Sequence, residues 1–104
     1  MENEKIQLEQ LRKELAKVDS CILKSISQRM DIAENIGKLK KELNEPIDNS
    51  RQEHQVLKRN KLIGKNLGLN EKLIDEVYLN LIEYSKYLQK RLQKKNDKIS
   101  SIKI

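Results

Sequence analysis

Apolar residues in the first third of the chain recur in alternating steps of three and four. Leu8, Leu11, Leu15, Val18 and Ile22 set the phase, and Ile26, Ala33, Ile36 and Leu43 continue it. That spacing draws one stripe along an α-helix and predicts a helix from about Glu4 to Leu43. Two residues interrupt the stripe in SQRMDIAENIGKLKKE (27–42): Arg29 and Lys40 fall where apolar side chains belong. Gly37 lies in the same stretch and costs a helix interior about 1 kcal/mol relative to Ala. A helix of about 40 residues is about 60 Å long, too long for a compact domain of this size to cover. A second copy of the chain is the expected cover.

The pattern stops at Asn44-Glu45-Pro46-Ile47-Asp48-Asn49, whose single proline cannot continue a helix and biases Glu45 to extended geometry. Ser50 and Glu53 have the spacing of a capping box and predict a second helix opening at Arg51, with Asp48 an alternative cap. Val56, Ile63 and Leu67 supply its thinner apolar face, and Gly64 or Gly68 its end. Asn70 is the expected cap of a third helix, whose apolar phase runs through Leu73/Ile74, Val77/Tyr78, Leu81, Leu88 and Leu92. Ser85 interrupts that phase. The segment 94–104 is polar and is expected to fray. No stretch reads as a strand, so the fold class is all-α: three helices per chain, a long first and two shorter, in one domain over residues 1–93.

Composition strengthens the expectation of a partner. Of 104 residues, 37% are hydrophobic and 37% charged, with no Phe or Trp, so a lone chain buries little against its surface. The net charge of +6 favours an anionic partner: nucleic acid, an acidic membrane surface, or a small carboxylate or phosphate. Aromatic residues, at 3%, are too few to form stacking platforms for single strands. No apolar run spans a membrane and the N-terminus lacks a signal-peptide core, so a cytoplasmic protein is expected. A single cysteine (Cys21) and a single histidine (His54) exclude an internal disulfide and any histidine–cysteine metal cluster. No metal and no cofactor is expected.

The inward-facing cations are the informative feature. A buried unpaired charge is costly, so such residues meet a carboxylate or a ligand. Arg29 and Lys40 stand about three turns apart on one face, about 16 Å along the axis, which leaves room for a small anion between their side chains. Ser85 and Gln89 lie one turn apart at the apolar face of the third helix. Arg51 sits at the positive end of the second. Each has a structural alternative. Long side chains at a stripe's edge reach out to water, a Lys or Gln on a seam sets register, Ser85 permits close packing, and Arg51 pairs with Asp48. The coincidence of all of them is harder to explain that way. Arg12 lies beside the Leu8–Leu15 seam, about 25 Å from Arg29, so it cannot serve the same pocket within one chain. In a dimer with antiparallel first helices, the partner's Arg12 is delivered there.

Five segments, in order, resemble the all-helical chorismate mutase family: LEQLRKELAKVD (Leu8–Asp19), QRMDIAENIGKLKKE (Gln28–Glu42), PIDNSRQEHQVL (Pro46–Leu57), GLN (Gly68–Asn70) and IEYSKYLQ (Ile82–Gln89). The resemblance implies an intertwined homodimer with two equivalent sites. Its implied activity is the rearrangement of chorismate, a dicarboxylate, to prephenate on the shikimate route to aromatic amino acids. Arg29 and the partner's Arg12 would hold the carboxylates, with Arg51 adding positive field. Lys40 and Gln89 would donate to the ether oxygen as its bond breaks. Ser85 would assist a carboxylate, and Asp48 and Gln52 would contact the ring hydroxyl. Two departures stand out. Gln52 occupies a place where the family commonly has glutamate, and the linker before Asp48 is one residue shorter. The rival activities are an isochorismate-pyruvate lyase on the same fold, which Ser85 disfavours, a non-enzymatic basic dimer binding nucleic acid, and a catalytically dead paralogue, which the intact polar set disfavours. The expected partners are chorismate and a second copy of the chain, with neither nucleic acid nor membrane.

Overall fold

The computed structural model describes the backbone of residues 1–102 and the side chains of residues 1–94. The polar segment 94–104 therefore lies outside the described side chains except for Lys94. Three helices follow one another, α1 (Glu2–Glu42), α2 (Ser50–Asn66) and α3 (Glu71–Ile102), and no strand occurs among the described residues. The chain divides into two units, Met1–Asp31 and Ile32–Ile104.

The first unit is helical throughout. Its predicted stripe is present, and Ile6, Leu8, Leu11, Leu15, Val18 and Ile22 are all 47–60% exposed.

The second unit holds the end of α1 with α2 and α3. Asn44 stops α1 in the left-handed region (φ 55°). Its N–H donates to the Lys41 carbonyl at 3.2 Å, and the Glu45 N–H reaches the Lys40 carbonyl at 2.8 Å. These two bonds satisfy carbonyls that the helix itself cannot, and Pro46 then bars continuation. The next cap differs from the expected Ser50–Glu53 box. Asn49 caps α2 by accepting the Gln52 N–H at 3.1 Å, and Ser50 is already helical. The Glu53 carboxylate is drawn instead to Lys86, at 2.8 Å. A charged partner outcompetes a backbone N–H.

Gly68 (φ 76°) ends α2 in the same left-handed manner, with Leu69 N–H to the Gly64 carbonyl at 2.9 Å. Asn70 then caps α3 as expected, accepting from the N–H groups of Lys72 (2.8 Å) and Leu73 (3.2 Å). So short a connection folds α2 back along α3. Its inner face is not the one anticipated. Val56 is half-buried as expected, but Ile63 and Leu67 are exposed, and Gly64 is buried. A Cβ at Gly64 would stand 2.8 Å from the Ile74 side chain, so α2 turns this missing side chain towards α3 and swings Ile63 outwards.

Ala33, Ile74 and Ile82 are the buried apolar residues, joined by Ser85 and Gln89, and no large side chain is fully buried among the described residues. One chain thus has a thin, partly polar core. Gly37 is essential to it, since a Cβ there would meet Gln89 Cγ at 2.8 Å and Gln89 Cα at 3.3 Å. Gly37→Ala gains about 1 kcal/mol of helix propensity. Overpacking against an immovable backbone atom costs about 1–3 kcal/mol, and this effect wins. Urea unfolding of Gly37→Ala should show a net loss of about 1 kcal/mol; a stabilised variant would contradict the close approach.

Candidate active site

Gln89 is 6% exposed, and its Nε2 donates to the Ala33 carbonyl at 2.9 Å. A side-chain amide carries two N–H donors and an acceptor oxygen, so this bond uses one donor and fixes the direction of the other. Ser85, one turn earlier on α3, is also buried and donates from Oγ to the Leu81 carbonyl at 2.7 Å. Lys40 is half-buried near the end of α1, and its Nζ donates to the Ile47 carbonyl at 3.0 Å. That acceptor is neutral, so the bond orients the ammonium without cancelling its charge. Lys40, Ser85, Gln89 and Asp48 all belong to the Ile32–Ile104 unit.

Asp48 does not turn to Arg51, the alternative pairing open from the sequence. Its oxygens meet Lys86 Nζ at 3.2 Å and Lys90 Nζ at 3.3 Å. Hydrogen bonds from Lys86 and then Lys90 hold its carboxyl below the usual carboxylate range. Arg51 and Gln52 are exposed on the first turn of α2, where Asn49 already takes the Gln52 N–H. Arg29 is half-buried in the first unit, and Arg12 is exposed there with its guanidinium 2.7 Å from Glu9. That pair is 63% and 62% exposed, and such surface pairs are worth about 0–1 kcal/mol, so Arg12 is held only lightly.

Lys86 is the residue that sequence reasoning passed over. Its ammonium meets Glu53 at 2.8 Å, Glu83 at 3.0 Å and Asp48 at 3.2 Å, with the side chain 18% exposed. The acceptors, Glu53 foremost and then Glu83, raise its pKa against the opposing effect of burial. A local signal existed, because Glu83 and Lys86 have the i,i+3 spacing of a helical ion pair. The links to Asp48 and Glu53 are long-range and carry no such signature.

The shift at Asp48 has a measurable consequence. Its folded pKa lies below the ordinary aspartate value of 3.8, so its contribution to stability is present above that value and fades as pH falls through the folded pKa. Denaturation measured from neutral pH downwards should show wild type more stable than Asp48→Asn at neutral pH. The gap should close below about pH 4, and a pH-independent gap would contradict the lysine contacts.

The arrangement has known relatives. The profile of the family described as chorismate mutase type II matches residues 11–90. The chorismate mutase of Methanocaldococcus jannaschii is 30% identical over 95 residues, covering 88% of this chain and 96% of that protein. A solved structure, a conserved hypothetical protein from Pyrococcus furiosus, is 36% identical with a TM-score of 0.65. It covers 80% of this chain, which in turn covers 95% of it. The matched span runs from just before Arg12 to just beyond Gln89, so it takes in every predicted site residue. With three helices, buried polar groups at their contact and this match over most of its length, the chain belongs to the chorismate mutase type II family, a family of isomerases.

Proposed function

We propose that the protein is a chorismate mutase that rearranges chorismate to prephenate within a homodimer. The observation that carries this is the pair of oriented donors in a thin core. Lys40 keeps its charge against a neutral carbonyl, and Gln89 is buried with one N–H already committed to Ala33. In the rearrangement the ether C–O bond breaks as a C–C bond forms in the same molecule. Atoms and electrons balance without a proton donor, a nucleophile or a metal. The ether oxygen gains negative charge on the way, and donors already aimed at it stabilise that charge without reorganising.

Binding is assigned to the arginines. Arg29 and the partner's Arg12 take the two carboxylates, and the fork of a guanidinium suits a carboxylate's two oxygens. Arg51 adds positive field from the start of α2, Ser85 assists a carboxylate, and Asp48 and Gln52 lie at the ring-hydroxyl end. Holding both carboxylates selects a compact conformer of the substrate in which the reacting carbons are close. The exposed stripe of residues 6–22 supports a dimer, because another chain's stripe can cover it. The lightly held Arg12 supports the shared site, since little is lost when it leaves Glu9. No helix among the described residues is long and apolar enough to cross a membrane. A cytoplasmic protein acting on a soluble dicarboxylate fits that observation.

Purified protein should convert chorismate to prephenate; release of pyruvate from isochorismate in its place would identify the lyase activity instead. Lys40→Ala should lower kcat/KM by at least about 100-fold while the protein stays folded and dimeric by sedimentation; near-normal turnover would remove Lys40 from its role. Arg12→Ala and Arg29→Ala should each be inactive alone. Mixed and reassociated, they should recover up to about a quarter of wild-type activity, because each heterodimer contains one intact site. Heterodimers that form without activity would exclude a shared site.

A further inference from the structure

The clamp around Lys86 is not accounted for by the roles given to the donors and arginines. Three carboxylates from three elements converge on its ammonium: Asp48 from the α1–α2 loop, Glu53 from α2 and Glu83 from α3 itself. Asp48 extends the cluster to Lys90 through its second oxygen, at 3.3 Å. Ile47, the residue before Asp48, offers the carbonyl that receives the Lys40 ammonium at 3.0 Å. A continuous path therefore runs from Lys86 through Asp48 and Ile47 to Lys40. Lys86 itself follows Ser85 directly and precedes Gln89 by less than one turn of α3.

Without its cation this cluster works against itself. Asp48, Glu53 and Glu83 would then face one another with Lys90, 54% exposed, the one cation among the described residues left to hold Asp48. Like charges repel; water screens Asp48 (61% exposed) and Glu83 (70% exposed), so the repulsion bears most on Glu53, at 26%. The loop would relax away from α3 and carry the Ile47 carbonyl with it. Lys40 would keep its charge but lose its direction.

We propose that Lys86 is a positioning residue for the reaction: by clamping Asp48 and Glu53 to α3 it sets the Ile47 carbonyl that aims Lys40. The kinetic part rests on the chorismate mutase function proposed above; the structural part does not. Lys86→Met should lower kcat about tenfold, because the bond from Lys40 is made in the transition state, with a smaller rise in KM from the released Asp48. Lys86→Arg, which keeps the cation, should restore most of the rate. In a Lys40→Ala background, Lys86→Met should change kcat by less than about twofold, since the group it orients is already gone. Equal losses with and without Lys40, or an unchanged kcat, would overturn the proposal. Glu53→Gln preserves volume and should show the same coupling at smaller size, which keeps the test decisive if Lys86→Met does not fold. Side-chain 1H–15N spectra supply a readout independent of turnover. The Lys40 ammonium resonance should shift in Lys86→Met, and an unmoved resonance would overturn the clamp. A shifted resonance in a protein that does not turn over chorismate would remove the mutase function and leave the clamp standing.

Discussion

Gln89 is pressed against Gly37 with its amide nitrogen 2.9 Å from the Ala33 carbonyl, and a polar group so placed has to keep its partner. Losing that bond would strand a buried donor, at about 1–3 kcal/mol. The bond in turn requires α3 to approach the end of α1 closely, which only a residue without a side chain at position 37 allows. Gly37, Ala33 and Gln89 therefore form one constraint. It fixes the spacing in which Ser85 and Lys40 are presented, and it leaves room for little apolar volume.

The polar set divides by what each group is bonded to. Lys40 and Gln89 donate to backbone carbonyls, which are neutral and built into the fold, so their direction is fixed while their capacity to stabilise negative charge is kept. Lys86 and Lys90 donate to carboxylates, so their charge is largely spent on holding the α1–α2 loop and α2 to α3. A cation tied to a carbonyl is ready for a ligand, and one tied to three carboxylates is a fastener. The distinction depends on partners, and no property of lysine itself announces it.

The activity proposed for this member of the chorismate mutase type II family would give these groups a shared purpose. An intramolecular rearrangement asks a protein for conformer selection and for charge stabilisation at one oxygen. A basic, aromatic-poor helical chain can supply both with arginine, lysine and an amide. Under the proposed function, Gln52, where the family commonly has glutamate, would remove one negative charge from the rim of a site for a dianion. The neighbouring Glu53 is paired with Lys86 at 2.8 Å.

Much of this was legible from residue order. The three-four spacing marked α1, the Asn44–Asn49 break and Asn70 marked the helix boundaries, and Arg29, Lys40, Ser85 and Gln89 stood out as polar interruptions of apolar faces. Those features are local, because a helix places residue i+3 or i+4 above residue i whatever it packs against. The choice of Asn49 over Ser50 as cap, the turning outwards of Ile63 and Leu67, and the convergence of Asp48 and Glu53 on Lys86 are not local. Each is settled by what a neighbouring helix brings near: a cation that draws Glu53 away from a capping box, and Ile74 filling the space left open at Gly64. Sequence by itself determined that three helices form, where the two connections between them fall and where the helix faces turn polar. Only the tertiary structure decided which cations stay available and which are consumed, because charge pairing depends on distance in space and the partners lie far apart along the chain.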